Sequence, residues 1–580
     1  MSRTAPGIKF RPHIAASLTI ALLTAACQPS AETPELQAES CEQAFTPVSA
    51  VQGDGPVSPM LGQAVTVSGV VTMTDPGGLY IEQPGSDDAD ETSNGLYLSL
   101  PGSGAVAGQW VVARGKVSEL GEGDASLTAL SDIGDWLACD RRATIPLTIA
   151  ELPLDDIQRE SLESMNLHFD QALIVTNPRD SNRGDLRLSL DAILPAPTEV
   201  ARPGDDARAQ AEWNHLHSID IRLDESDRAP IPAGTQVFSV HGVLGNDQRG
   251  PRLLADDSAH LRVPPQYRIE LPAAGDLRIV SLNLHNYFNG DGRGGGFPTP
   301  RGAETPGGFH KQRARLAALA GELAPHVVAV MELENDGFGP FSAAADFAGD
   351  LQDATGADWV AVAPWDGPVG DDAITVGLFY RPDQVVPVGK TEVLDGPDFD
   401  GLSRKPMAQV FRDLQTGEQL LLAVNHLKSK GTCPQSGQNS NLRDGQGCWN
   451  EARTSAARAM SAWVLDLAQS RASGRALVLG DMNAYRMEDP ITAIIESGLK
   501  DLTAPSGLRP NYSYIFRGEA GTLDYAFGSA TLLPFIQSAR IANVNSNWPP
   551  IPELPLPWLG ASDHDPVLVD LRFRNAQTRD

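Results

Sequence analysis

Apolar and polar positions alternate with two different periods along this chain, and the change falls near residue 273. Between residues 46 and 145, short runs repeat a two-residue period between clusters of Gly and Asp; Ala64-Val65-Thr66-Val67-Ser68-Gly69-Val70-Val71, Gly78-Leu79-Tyr80-Ile81-Glu82 and Gly95-Leu96-Tyr97-Leu98 are examples. That spacing predicts antiparallel strands closing into a small barrel or sandwich. Residues 146–272 continue the β pattern through 171–175, 186–190 and 236–244, with an acidic, Pro-bearing loop expected near 195–230. From residue 276 strands alternate with helical patterns, the mark of a layered α/β unit. Residues 276–283 and 326–331 read as strands. Between them, 311–323 reads as a helix with Leu316, Leu319 and Leu323 on one face, closed by Pro325. A second helix is expected over 456–467, with Met460, Trp463, Val464 and Leu467 facing the core.

The later strands share an unusual way of ending. Ala476-Leu477-Val478-Leu479 is a run apolar on both faces, and it stops in Gly480-Asp481-Met482-Asn483. Positions i and i+2 of a strand project to one side, so Asp481 and Asn483 can reach one point beyond the sheet edge, where open α/β sheets place ligands. Alone, such a turn is ordinary, because Asp and Asn bond turn backbone well. Here other apolar strands end in Asn283, Glu332, His426, Asp524, and Asp563 with His564. The set holds carboxylates, amides and imidazoles, with no serine elbow and no cysteine nucleophile.

Charge pulls against a phosphate-handling site. Lys and Arg number 45 against 74 Asp and Glu, a net charge of −29, which repels polyanions and lacks the basic footprint of a nucleic-acid binder. Any such activity must be local and metal-assisted. His426, Lys428 and Lys430 would project to one side of an extended segment, and Arg404, Lys405, Arg443 and Arg453 can add to that patch. His215 and His217 read as surface histidines.

The N-terminus reads as an export signal. Arg3, Lys9 and Arg11 precede an apolar run over 14–26, too short to span a bilayer. Leu23-Thr24-Ala25-Ala26-Cys27 is similar to a bacterial lipoprotein cleavage box, with lipidation expected at Cys27, although Thr24 leaves ordinary cleavage after Ala26 open. The expected destination is the outer membrane or cell surface through that lipid, or free secretion. Residues 28–45 read as a tether. The remaining four cysteines are even in number, as an oxidising compartment favours. They are expected to pair as Cys41–Cys139 and Cys433–Cys448, each within one unit.

Asn425-His426-Leu427-Lys428-Ser429-Lys430-Gly431, Gly480-Asp481-Met482-Asn483 and Ser562-Asp563-His564-Asp565-Pro566-Val567, with Met331-Glu332-Leu333-Glu334, resemble the endonuclease/exonuclease/phosphatase superfamily of pancreatic-type deoxyribonuclease. The likeness is to its secreted bacterial nuclease branch, in which an oligonucleotide-binding-type (OB-like) barrel precedes the catalytic unit. The resemblance implies a mixed α+β, α/β fold: a four-layer αββα sandwich over 273–576, preceded by all-β modules at 46–145 and 146–272. It implies that Glu332 holds Mg²⁺ or Mn²⁺ with Asn283 and Asp563 near it, and leaves a structural Ca²⁺ open. Asp481 would orient or deprotonate the attacking water, and Asn483 would bind a phosphate oxygen. His564, held by Asp524, and His426 would contact the scissile phosphate or serve as acid and base. Lys428, Lys430, Arg404 and Arg443 would bind substrate. Tyr525 departs from the pattern, standing where relatives often carry His.

The expected activity is metal-dependent hydrolysis of phosphodiester bonds in DNA, with RNA open, by an exported monomer. Its rivals are a phosphomonoesterase or a phospholipase- or sphingomyelinase-type phosphodiesterase on the same fold, and a non-catalytic surface binding protein.

Overall fold

The computed structural model describes residues 36–573, apart from 38–40, 86–91, 122–125, 224–228, 248–249, 257–258, 264–268, 270, 272–274, 505–510 and 552–553. The expected leader (1–27), its Cys27 and most of the tether lie outside the described residues. No helix among the described residues is long and apolar enough to cross a membrane.

Two-residue alternation closes the first unit. The strands Ala64–Thr74, Leu79–Glu82, Gly95–Leu98, Gln109–Leu120 and Leu127–Arg142 form a closed barrel in the order first, second, third, fifth, fourth. Val67, Val71, Ile81, Leu96, Leu98, Val111 and Leu130 fill its interior. The Cys41–Cys139 disulfide ties the incoming chain to the last strand. Full closure leaves no edge for unwanted pairing.

A nine-stranded sheet follows, running from His260–Arg262 at one edge to Thr148–Ile149 at the other. Its core gathers Leu167, Phe169, Val175, Leu188, Ile221 and Leu253. The stretch expected to be a loop near 195–230 is more ordered than that: it holds a helix over Asp205–Leu216 and a strand over Ser218–Arg222. The helix has only a weak apolar stripe, and it is fixed instead by polar anchors. The Asn214 amide donates to the Pro195 carbonyl and to Glu519, both at 2.8 Å. His217 stacks on Trp213 at 3.9 Å, and His215 pairs with Asp156 at 2.7 Å, so these histidines do not converge on a common ligand.

Two six-stranded sheets face each other in the remaining chain. One runs in the order Val360–Ala361, Ile374–Tyr380, Val327–Glu334, Leu277–Tyr287, Val567–Leu571, Ile536–Ile541. The other runs Val385–Val393, Met407–Asp413, Gln419–His426, Ala476–Asp481, Asp524–Gly528, Lys500–Asp501. Helices Pro306–Leu323 and Ala343–Thr355 cover the outer face of the first through Leu316, Leu319, Phe347 and Leu351. Helices Asn450–Arg471 and Asp489–Glu496 cover the second through Met460, Val464, Ile491 and Ile494. Strands buried on both faces must be apolar at every position. In Ala476–Asp481, Ala476 and Val478 meet the helices while Leu477 and Leu479 enter the core between the sheets. The result is the αββα sandwich. The first helix begins at Pro306, ahead of the expected start, because the Thr305 hydroxyl caps it by accepting from the Gly308 N–H.

The barrel and the nine-stranded sheet meet in a small apolar seam of Tyr80, Tyr97, Leu127 and Val243. Two carboxylates cross it. Glu82 accepts from the Asn166 N–H at 2.9 Å, and Glu163 accepts from the Thr128 N–H at 3.0 Å. Burial pushes Glu82 up to about 7, only partly offset by its hydrogen bond from Asn166. A carboxyl raised in the folded state stabilises at low pH, and that contribution fades as pH rises from its unfolded value of about 4.5 through about 7; the full amount is roughly 3 kcal/mol. Glu82→Gln keeps an acceptor for Asn166 and removes the charge. In calorimetric melting at about pH 5.5 and pH 8.5, the wild type loses stability at the higher pH and the variant loses clearly less. Equal losses in the two proteins would show that Glu82 is not the group responsible.

Candidate active site

The inner-face alternation of four strands continues one step past the last apolar side chain. Leu477 and Leu479 are followed by Asp481, Leu422 and Val424 by His426, and Leu277 and Ile279 by Asn283 after Ser281; Ala526 is preceded by Asp524. The top layer of the inter-sheet core is therefore polar, on an apolar floor, and it opens into a cleft of about 540 Å³. Glu332, His426, Asp481, Asn483, Asp563 and His564 all line that cleft. Asp524 and Asn283 stand immediately behind it.

Hydrogen bonds fix the members against one another. His564 Nδ1 bonds Asp524 Oδ2 at 2.7 Å, and the same carboxylate oxygen accepts from the Ser513 hydroxyl at 2.7 Å. His426 Nε2 lies 3.5 Å from Asp481 Oδ2. The other Asp481 oxygen accepts from the Asn483 N–H at 2.8 Å, while the Asn483 amide donates to the Leu427 carbonyl at 3.1 Å. Asn283 Oδ1 accepts from the His285 N–H at 2.9 Å, which fixes the amide the other way round from a metal ligand. Its NH₂ turns toward Glu332 at 3.4 Å and Asp481 at 3.5 Å, so Asn283 is placed to orient carboxylates. Glu332 stands at a bulge with φ 62°, which re-aims its carboxylate.

Burial and neighbouring charges then separate the titrating groups. Burial pushes Asp481 up to about 7; His564 opposes this, while Asp524 and Glu332 add to it. His426 is held well below the usual histidine range, by burial first and then by Arg404 and His564. Burial also pulls His564 down, but the Asp524 carboxylate outweighs it with help from Asp481 and Asp563, leaving this imidazole well above the usual range. One histidine is thus neutral and the other cationic, the separation that acid–base chemistry needs.

Two carboxylate groupings deserve comparison as cation sites. Ligand atoms of Asp481, Asp524 and His564 lie within 4.8 Å of one another. His564 Nδ1 is already committed to Asp524, however, and a protonated imidazole cannot ligate. Glu332 offers a better fit: Oε2 accepts from the Asn286 N–H at 2.9 Å, and among the described residues Oε1 has only the long contact to Asn283. Asp563, on the same cleft, is held below the usual carboxylate range, since His285, His564 and Arg179 outweigh its burial. Anionic oxygens with spare lone pairs suit a hard divalent cation.

The cationic groups divide. Arg404 reaches the cleft and shares Asp372 with Arg301, at 3.2 and 2.8 Å. Lys430 also lines the cleft, but its ammonium is paired with buried Glu488 at 2.5 Å and sits over the Tyr485 ring. Lys428 lies over Trp449 at 5.3 Å, away from the cleft lining. Arg443 is also off the lining, and its carbonyl accepts from Arg208. Lys405 pairs with Asp395, and fully buried Arg453 holds the carbonyls of Gln446, Cys448 and Lys428. The Cys433–Cys448 disulfide closes the loop carrying these contacts. Tyr525 faces the helix side, donating to the Ala484 and Thr522 carbonyls. Sequence reasoning missed Arg301, Tyr485, Tyr514 and Phe516, which stand in loops or a hairpin with no strand-end pattern. Tyr514 packs on His564 with ring centroids 4.7 Å apart.

A cleft of this kind, with a cationic His–Asp pair facing ionisable carboxylates between two sheets, defines a phosphoester-hydrolysing class. Residues 280–564 match the family model described as the Endonuclease/Exonuclease/phosphatase family, and the sandwich belongs to that family. It is a phosphoester hydrolase of a generally divalent-metal-dependent kind. Similar solved structures include the endonuclease/exonuclease/phosphatase from Bacteroides vulgatus (18% identity over 51% of this chain and 99% of that one, TM-score 0.34). The Bacteroides thetaiotaomicron mannosyl-6-phosphatase is also similar (19%, 51% and 100%, TM-score 0.34), as is D. rerio TDP2 complexed with single strand DNA product (16%, 50% and 97%, TM-score 0.33). No curated protein matches the chain.

Asp524→Asn removes the charge that holds His564 protonated while keeping an oxygen for Ser513. Phosphoester turnover is expected to fall about 10²- to 10⁴-fold in kcat, with the His564 NMR titration midpoint moving down. An unchanged midpoint would show that Asp524 does not set the charge on His564.

Proposed function

We propose that this protein is a divalent-metal-dependent nuclease that hydrolyses phosphodiester bonds in DNA, with RNA as a second polymer substrate. The carrying observation is the joint placement of cationic His564, Asp481 and Glu332 in one cleft whose rim carries Tyr514, exposed Phe516, Arg301 and Arg404. Aromatic faces beside guanidinium groups suit bases and phosphates of a strand. They also answer the net charge of −29 locally, since field at a cleft depends on the groups nearest it.

The reaction is an in-line attack of water on phosphorus. Ionised Asp481 accepts the water proton, and burial has tuned it toward neutral pH for that task. His564 donates its imidazolium proton to the departing oxygen as that P–O bond breaks and the new one forms. Neutral His426 and the Asn483 amide hold the non-bridging oxygens. A Mg²⁺ or Mn²⁺ ion held by Glu332 with Asp563 would neutralise charge developing on the phosphoryl group. The export signal at residues 1–27 and the two disulfides support an extracytoplasmic site of action, free or lipid-anchored at Cys27.

Nicking of supercoiled plasmid by the purified protein tests this. Activity is expected with Mg²⁺ or Mn²⁺ and its loss with EDTA, and His564→Ala should slow nicking about 10³-fold. Cleavage of phosphomonoesters or sphingomyelin with the plasmid left intact would replace the nuclease reading with one of its rivals.

A further inference from the structure

The cleft does not end at the sandwich. Beyond Asp563 and Tyr514, which line it, a small pocket of about 60 Å³ continues toward the nine-stranded sheet and is bordered by His285, Asn545 and Arg179. It is much smaller than the main cleft, and its imidazole, amide and guanidinium border suits an anionic group. Arg179 comes from the β region and lies far from the sandwich in sequence.

Its placement is built. The turn that carries it follows the strand Leu173–Asn177 and is closed by the Arg179 N–H donating to Asn177 Oδ1 at 3.2 Å. The turn is pinned to the hairpin of Tyr514–Phe516 and Glu519–Gly521 on several sides. Thr176 donates its hydroxyl to the Gly518 carbonyl, Arg187 donates to the Arg517 carbonyl at 3.2 Å, and Leu194–Pro195 pairs in parallel with Glu519–Ala520. The approach is so close that a Cβ on Gly518 would lie 3.1 Å from the Arg187 side chain, and φ there is +86°. The Arg179 side chain lines this pocket together with Tyr514, whose ring rests on His564.

Unlike the cations inside the cleft, Arg179 has no carboxylate partner within ion-pair distance among the described residues, and it is exposed. Arg301 and Arg404 share Asp372, and Lys430 is held by Glu488. A guanidinium that is positioned, with Asp563 acting on it only from beyond ion-pair distance, keeps its fork free for a bidentate phosphate contact.

We propose that Arg179 and the pocket beside it form a subsite for the phosphodiester that neighbours the scissile one, so that the β region contributes directly to polynucleotide recognition. This rests on the polynucleotide reading of the cleft. It gives the nine-stranded sheet a task beyond spacing: it makes the enzyme prefer a chain of phosphates over an isolated ester.

The test compares a single-stranded DNA dodecamer with bis(p-nitrophenyl) phosphate, which has one phosphate, using the full-length protein with Mg²⁺ or Mn²⁺. In Arg179→Gln, the ratio of kcat/KM for the dodecamer to kcat/KM for the ester falls about tenfold. The plot of log kcat/KM against log salt for the dodecamer becomes shallower by about 0.7, one single-strand phosphate contact. Arg179→Lys, which keeps the charge, recovers most of the ratio. A proportional fall on both substrates, or an unchanged ratio, would overturn the subsite while leaving the nuclease reading standing. A wild-type protein that turns over the ester but not the dodecamer would remove the polynucleotide reading and the subsite together.

Discussion

Everything at this site depends on placing charge at the end of a hydrophobic core. Between the two sheets, Leu477, Leu479, Leu422 and Val424 form the floor on which Asp481 and His426 stand. An isolated charge there would be costly, so the structure supplies partners from several strands at once. The 2.7 Å bond between His564 and Asp524 couples the sheet containing Val567–Leu571 to the one containing Asp524–Gly528. That bond keeps the His564 imidazole charged although both groups are buried, at 7% and 1% exposure. Removing either partner would strand the other. The pair is thus a structural bridge between sheets as well as a proton donor.

The same low-dielectric layer explains why chemically similar groups end up different. Asp481 is a buried carboxylate and Asp563 a partly exposed one on the same cleft. Asp481 is pushed up, with Asp524 and Glu332 adding to its burial, while Asp563 is held down by His285, His564 and Arg179. His426 and His564 diverge for a matching reason: Arg404 and His564 face the first, and Asp524 touches the second. No single residue carries the distinction. It lies in which strand end faces which neighbour, and the packing of the sandwich sets that.

Sequence legibility follows the same physics. The strand ends at His426, Asp481, Asp524 and Asn283 were readable because a run buried on both faces has few polar positions, and each stands out. Both disulfides could be read because each closes within one unit of the pattern. What a side chain does after the strand stops depends on partners distant in sequence. Lys430 reads as a phosphate ligand along the chain, whereas only the fold brings Glu488 to pair with it, and Glu488 itself accepts from Thr198 of the β region. Asn283 looked like an oxygen donor, but the orientation of its amide depends on a backbone N–H two residues on. The helix over Asp205–Leu216 was hidden because its order comes from Glu519 and Pro195 rather than from an apolar stripe.

Backbone conformation completes the account of why the motif around Asp481 reads as it does. Gly480 has φ +137°, and a Cβ there would fall 1.9 Å from the Asn425 carbonyl oxygen on the adjacent strand. The glycine is therefore demanded by sheet geometry, at the point where the parallel strands Gln419–His426 and Ala476–Asp481 run side by side to their ends. Asn483, Glu332, His285 and Asn286 also adopt left-handed conformations around the cleft. Each costs on the order of 1 kcal/mol or more, and such residues persist only where the surroundings over-determine them. Here the over-determination is visible: Asn483 N–H is held by Asp481, Asn286 N–H by Glu332, and His285 N–H by Asn283. The carboxylates and amides that serve the chemistry also secure the strained turns beside them, so a substitution that removes a reacting group also loosens the backbone that aims its neighbours.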